Sequence, residues 1–212
     1  MGRYLEVTAK IAGETVVARC APEQAHEART MIERGFGPLA GRKPGLEGAV
    51  VVFGWAAYRL ERREGQLLAC EPDFDEDPRQ FRSDVSASLR VVARQVGLVK
   101  MLGVKPEGCR FDDKIVADRA ALRAREVVLH RTGVAKGGAS GWYMGRADAK
   151  GKPSAEELAG FMSCGLVRLG RERLLDVLAL PVGYIARFDG DTLLGIADAR
   201  NREVYSPKRA RN

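Results

Sequence analysis

The sequence has no CxxC pair, no long apolar run and only two histidines. Its four cysteines, Cys20, Cys70, Cys109 and Cys164, lie far apart, whereas zinc sites are built on short ligand spacings. No metal site is expected, and scattered thiols in a cytosolic chain read as small buried hydrophobes. The histidines, His26 and His130, are distant in sequence and read as surface or core-edge residues. No stretch is long and apolar enough to span a membrane. The opening Met1-Gly2-Arg3-Tyr4-Leu5-Glu6 lacks the apolar core of a secretion signal, so a cytoplasmic location is expected. There is no Walker loop and no G-x-G-x-x-G after a strand. Ser140 stands among glycines, but Trp142 occupies the place of the closing glycine in G-x-S-x-G. No catalytic residue and no cofactor is therefore assigned. Internal repeats and low-complexity linkers are also missing.

What is present is ordinary soluble-protein composition: 212 residues, 45% hydrophobic and 30% charged. That suffices for one large domain or two small ones. The net charge of +7 comes partly from Lys208-Arg209-Ala210-Arg211, and the rest is dispersed among acids. No basic stripe is interleaved with aromatics, so the charge allows an acidic partner without marking a nucleic-acid site.

In chain order, 4–11 and 15–19 alternate as an opening hairpin around Ala12-Gly13-Glu14. Pro22 suits a helix start. The helix is expected over Glu23–Arg34, with Ala25, Ala28, Met31 and Ile32 on its apolar face and Gly35 ending it. Gly37–Gly48 reads as a surface loop. Ala49–Phe53 is apolar throughout and reads as a buried strand. A second hairpin follows, 55–62 and 66–70, turning at Arg63-Glu64-Gly65. A long helix capped by Asp84 or Ser86 is expected over Val85–Leu102, with a stripe of Leu89, Val92, Ala93, Val96, Val99 and Lys100 and a stop at Gly103. Lys105–Asp113 is a polar loop; 114–117 and 125–131 are strands. Ser154 is expected to cap a helix reaching about Met162, and Arg171–Leu178 to form another before Pro181. Strands at 183–188 and 192–197 turn at Asp189-Gly190-Asp191, and the chain frays from Asn201.

Two stretches stand out. Glu71-Pro72-Asp73-Phe74-Asp75-Glu76-Asp77-Pro78 brackets four acids and a phenylalanine between two prolines, with Glu71 just before them. Asp73, Asp75 and Asp77 have the spacing that opens a calcium loop, but Pro78 replaces the required glycine and Asp84 the closing glutamate. A solvated acidic loop and a recognition loop for a basic partner surface both fit. Gly137-Gly138-Ala139-Ser140-Gly141-Trp142-Tyr143-Met144-Gly145-Arg146 runs a glycine-rich loop into two aromatics. It suits a loop entering a core strand, and equally a recognition loop beside an aromatic anchor.

Three stretches together resemble a known family: Glu71–Pro78 followed by the capped helix, Ser140-Gly141-Trp142-Tyr143, and Leu178-Ala179-Leu180-Pro181-Val182-Gly183-Tyr184. In this order and spacing, over roughly Trp55 to Phe188, they are similar to the bacterial immunity-protein family numbered thirty-three among polymorphic-toxin systems. The last hairpin departs from the family pattern, with Thr192–Asp198 replacing an acidic, tryptophan-containing stretch. The resemblance implies a non-enzymatic inhibitor acting in bacterial competition, which neutralises a cognate secreted toxin encoded nearby by direct stoichiometric binding. Two alternatives remain open: an enzyme, such as a hydrolase reversing a toxin's modification through Ser140, His130 or the acidic loop, and a nucleic-acid-binding accessory protein using the basic tail.

The expected fold is α+β: a largely antiparallel sheet with one long helix and several short helices packed on it. The expected regions are 1–131 and 140–206, or one continuous domain 1–206, with a basic tail at 207–212. The expected partner contacts are Glu71, Asp73, Asp75, Glu76, Asp77, Trp142 and Tyr143.

Overall fold

The computed structural model describes residues 4–41 and 45–207. Most of the basic tail, from Lys208, and residues 42–44 of the surface loop lie outside the described residues. The chain divides into two compact units, Met1–Arg94 and Gln95–Asn212. Each has its own mixed sheet, so the class is α+β with two sheets instead of one.

In the first unit, β1 (Leu5–Ile11) and β2 (Glu14–Cys20) form the expected hairpin. Ala12 and Gly13, at φ of 53° and 85°, supply the tight left-handed turn that matches strand twist. The expected helix over Glu23–Arg34 is instead three short coils. A 3₁₀ turn at Pro22–Gln24 leads into α1 (Ala25–Thr30), then a wider π turn at Met31–Phe36. The changes of pitch bring Ala28, Met31, Ile32 and Phe36 all to full burial. Gly35 does not stop the coil. It lies within it, where a Cβ would come 3.2 Å from a Val51 methyl.

β3 (Val50–Phe53), β4 (Ala56–Arg63), β5 (Gln66–Pro72) and β6 (Phe81–Arg82) complete this sheet. Its order is β1-β2-β5-β4-β3, with β6 paired to β5. Only β2 and β5 run parallel, at Val16↔Leu67 and Val17↔Leu68. β3 is not the buried strand its composition suggests. It is an edge strand whose Val50 and Val52 are 54% and 51% exposed.

α2 (Ser86–Leu102) is the longest helix among the described residues, begun by the Asp84 carboxylate accepting from the Ser86 N–H at 3.0 Å and ended at Gly103, φ 65°. In the first unit Val85, just before it, and its own Ser88, Leu89 and Val92 are buried. Gly54, φ +61°, must be glycine there, since a Cβ would fall 2.6 Å from a Val92 methyl. Further along, Val96 and Lys100 are exposed, whereas Gln95 is buried with its amide donating to the Leu175 carbonyl at 2.8 Å. A polar residue thus takes a core position that the apolar stripe assigned elsewhere.

The second unit contains β7 (Lys114–Asp118), β8 (Glu126–Arg131), β9 (Ala139–Arg146), β10 (Leu158–Met162), α3 (Gly165–Arg168), β11 (Ile185–Asp189), β12 (Thr192–Ala197) and β13 (Glu203–Tyr205). The sheet order is β10-β7-β9-β8-β11-β12-β13, with β7 and β9 parallel and the other neighbours antiparallel. Residues 132–138 connect β8 to its neighbour β9. Along the inner face, Ile115, Leu129, Trp142, Met144 and Phe188 are buried, as are Leu174, Leu175, Val177 and Leu178 of the irregular segment between α3 and β11.

Three expectations change here. After Ser154 there is one 3₁₀ turn, Ala155–Glu157, and then strand β10; Glu157 accepts from the Ser154 N–H at 2.7 Å and closes the turn at once. Arg171–Leu178 is a 3₁₀ coil over Glu172–Val177. The segment after Asn201 forms β13, held by Asp198, which accepts from the Arg200 and Arg202 N–H groups and pairs with the Arg202 guanidinium.

Candidate functional site

The acidic loop of the first unit is a built structure with an internal anchor. Glu71 is fully buried at the end of β5. Its Oε2 accepts from the Ser88 N–H at 2.8 Å and from the Ser88 hydroxyl, which in turn accepts from the Tyr58 hydroxyl at 2.8 Å. Its Oε1 accepts from Arg82 Nε at 3.0 Å. Burial pushes the Glu71 carboxyl up to about 7, against the Ser88 and Arg82 hydrogen bonds that favour its charged form. Burial alone would lower Arg82, but Glu71 and Asp75 more than offset it and raise the guanidinium above its ordinary value.

Phe74 is buried with its ring centroid 5.0 Å from that of Trp55. Asp73 accepts from the N–H groups of Asp75 and Glu76 at 3.1 and 3.2 Å, and Asp77 from the Arg79 N–H at 3.0 Å. Arg82 also reaches Asp75 at 2.7 Å. The five acids therefore divide. Glu71 belongs to the core, Asp73 and Asp77 shape the loop, and Asp75 and Glu76 face solvent.

Ser140-Gly141-Trp142 forms a bulge in the parallel pairing of β7 and β9, where the register passes from Lys114↔Ala139 to Val116↔Tyr143. Ser140 is fully buried; its hydroxyl donates to the Lys114 carbonyl at 2.8 Å and accepts from the Trp142 N–H at 3.1 Å. A hydroxyl so committed to backbone is a structural pin. Trp142 is 1% exposed, and its indole N–H donates to the Leu178 carbonyl at 3.2 Å. It is an anchor of the core, so a partner cannot reach it in this conformation.

The same Leu178 carbonyl accepts from Arg131 Nη1 at 2.9 Å, and the Arg131 guanidinium lies 5.5 Å from the Trp142 ring. Arg131 is itself 1% exposed, and burial lowers its pKa despite Cys109, Glu107 and Asp113 nearby. The Leu178–Tyr184 stretch closes onto β8 here, through Gly183 N–H to the Arg131 carbonyl at 2.8 Å and Arg131 N–H to the Tyr184 carbonyl at 2.9 Å. Trp142→Phe, which removes only the indole donor and part of the ring, is expected to destabilise the protein by about 1–3 kcal/mol. Urea denaturation checks this; an unchanged midpoint would mean that the Leu178 hydrogen bond contributes nothing.

Tyr143 points the other way. The strand register places Val116, Tyr143, His130 and Ile185 side by side on the outer sheet face. The next row holds Gly145 and Val128. Because Gly145 has no side chain, the Tyr143 ring lies across it; a Cβ there would meet the ring edge at 2.8 Å. The result is a cavity of about 500 Å³ floored by Val128, Tyr143, Gly145, Leu158 and Ile185 and walled by the 149–153 segment. Its charged lining residues, Arg146 and Lys152, are basic, and His130 lines it as well. Arg146 makes long contacts to Asp118 and Asp148, at 3.9 and 3.6 Å. Tyr143 is half-buried, and burial followed by the Asp118 charge raises its hydroxyl above the ordinary value.

Residues 94–198 match the model of the Imm33-like domain. This part of the chain belongs to that family. The matched residues make up most of the second unit, including the bulge, the Arg131–Trp142–Leu178 cluster and the whole cavity. The acidic loop lies before the matched stretch, so the Imm33-like domain is narrower than the resemblance from Trp55 onward implied. No curated protein and no solved structure matches the chain significantly.

Of the expected contact residues, the Imm33-like domain brings only Tyr143 to a concave surface; Asp75 and Glu76 stand exposed on the first unit, and Glu71 and Trp142 are internal. His130, Gly145, Arg146 and Lys152, which also line the cavity, are not among the expected contacts. The signal for the first two was the alternation along β8 and β9, which sets His130 and Gly145 on the Tyr143 face. Nothing local marked Lys152. Among the described residues no group of three or more His, Cys, Asp or Glu side chains is placed to hold a metal ion. Among the same residues no helix is long and apolar enough to cross a membrane.

Proposed function

We propose that the protein is an immunity protein that neutralises a cognate secreted bacterial toxin by direct stoichiometric binding. The observation that carries this reading is the Imm33-like match over 94–198, coextensive with most of a compact unit. The geometry is consistent with it. Each unit offers a rigid surface feature of the kind that inhibitors use: Asp75 and Glu76 on a loop pinned by Glu71 and Phe74, and Tyr143 within an apolar cavity. Trp142 and Glu71 support these surfaces from inside. The inhibitor needs no cofactor, and its action is that of occupying a toxin surface.

The test is co-expression of the full chain with the product of the neighbouring gene in a sensitive bacterium. Growth is expected to be rescued, and the two proteins to co-elute as a stable one-to-one complex. Rescue without any complex would replace stoichiometric binding with an enzymatic reversal of damage. No rescue and no complex, with both proteins folded, would sink the immunity reading.

A further inference from the structure

We infer that the cavity over Gly145 is a docking hole for a protein segment that presents an aromatic side chain flanked by carboxylates. The hole is apolar at its floor, formed by Val128, Leu158 and Ile185, and large enough at about 500 Å³ for an aromatic ring. Its polar lining comes from the Tyr143 hydroxyl over Gly145, from His130, and from the exposed Arg146 and Lys152. An apolar hole with cationic and hydrogen-bonding groups around it fits an apolar knob with acids beside it, because the carboxylates meet donors while the ring is desolvated.

Two further observations favour a protein occupant over a small ligand. The apolar surface does not end at the hole. It continues along the sheet through Val116, which is 42% exposed and aligned with Tyr143 by register. A flat apolar strip with one hole in it suits a protein surface better than an isolated pocket does. The net charge of the chain also falls in this unit. In the first unit acids and bases balance, so the entire +7 belongs to the second. A net positive unit with Arg146 and Lys152 at the cavity favours encounter with an acidic partner. Identifying this partner as a toxin rests on the proposed function; the chemistry of the hole does not.

The test has two arms, both on the full chain. In the first, NMR follows the Val128 and Ile185 methyl groups during titration with acetyl-Glu-Asp-Trp-Asp-Glu-amide, and with the same peptide carrying lysines in place of the acids. The acidic peptide is expected to shift these methyls saturably and at least about tenfold more tightly than the lysine peptide, a difference that salt reduces. Lys152→Glu, an exposed rim change, should abolish that preference, and Ile185→Trp, which fills the hole, should abolish binding. Equal binding of both peptides, or shifts confined to other surfaces, would overturn the assignment.

In the second arm, the neighbouring-gene toxin is bound to the wild type and to the Arg146→Glu/Lys152→Glu pair. Affinity is expected to fall at least about thirtyfold in the variant, mostly through slower association. Tight binding by both would overturn the docking hole and leave the immunity function standing. If the toxin binds neither while the acidic peptide still selects the hole, the immunity reading fails and the docking chemistry survives.

Discussion

Gly141→Ala is expected to be the most damaging single-methyl change in the protein, costing more than about 4 kcal/mol and preventing the second unit from reaching its present sheet. Two causes add. At φ +75° an L-residue sits in the left-handed region, which alone costs roughly 1–2 kcal/mol. The new Cβ would also fall 1.9 Å from the Gly133 carbonyl oxygen, and that obstacle is backbone. Neither side can yield cheaply. The Gly141 carbonyl accepts from the N–H groups of Thr132 and Gly133 at 2.8 and 3.2 Å, and Ser140 and Trp142 fix the strand on either side. Gly138 is the control: its φ is +80°, but a Cβ added there would have nothing within 4 Å. Gly138→Ala should therefore cost only the conformational part, roughly 1–2 kcal/mol. Urea denaturation of the two variants separates the terms. Equal losses would mean that conformation, not the close approach to Gly133, selects glycine at 141.

Glu71 carries the second large effect. Glu71→Ala leaves the Ser88 N–H without its acceptor and Arg82 without its buried partner, and a loss of about 3–5 kcal/mol is expected. The charge of Glu71 gives a separate, pH-dependent result. Its folded pKa is raised to about 7 from an ordinary value of 4.5. Between those values the folded state binds more protons than the unfolded state, so stability falls as pH rises. The contribution is fully present below about pH 4.5 and is lost as pH rises through 7, amounting to at most about 3 kcal/mol. Glu71→Gln keeps an acceptor for Ser88 without a titrating charge. It should flatten the decline between pH 5 and 8, read as the urea midpoint across that range. An unaltered decline in Glu71→Gln would assign the dependence to another group. The carboxylates pulled downward, such as Asp198 at about 2 beside Arg202, act in the opposite sense and lose their contribution only as pH falls.

Much of this was legible along the chain, because the signals are local. The turns at Ala12-Gly13 and Glu64-Gly65 name their hairpins, and Asp84 and Gly103 bound the long helix, since caps and left-handed turns are satisfied within a few residues. The Ser140–Tyr143 stretch was recognisable as special for the same reason: a glycine between a serine and a tryptophan is a backbone requirement written in one place. Its meaning was not legible. Whether Trp142 or Tyr143 faces outward depends on which sheet face the helical segments cover, and that is set by residues some forty positions later.

What the sequence alone determined is therefore the set of elements that close on themselves, the α+β class, the lack of short-spaced metal ligands, and the resemblance that residues 94–198 bear out. The tertiary structure decided the rest. It made Val50–Phe53 an exposed edge although the segment is apolar throughout, because hydrophobicity does not say whether a strand has one neighbour or two. It tied the acidic loop to the core through one of its five acids, by placing Ser88 and Arg82 on the Glu71 carboxylate. It also opened a cavity where Gly145 and Val128, on consecutive strands, meet Ile185 of the distant strand β11. Burial, pairing and concavity are properties of neighbours brought together by folding, and periodicity within one segment cannot specify them.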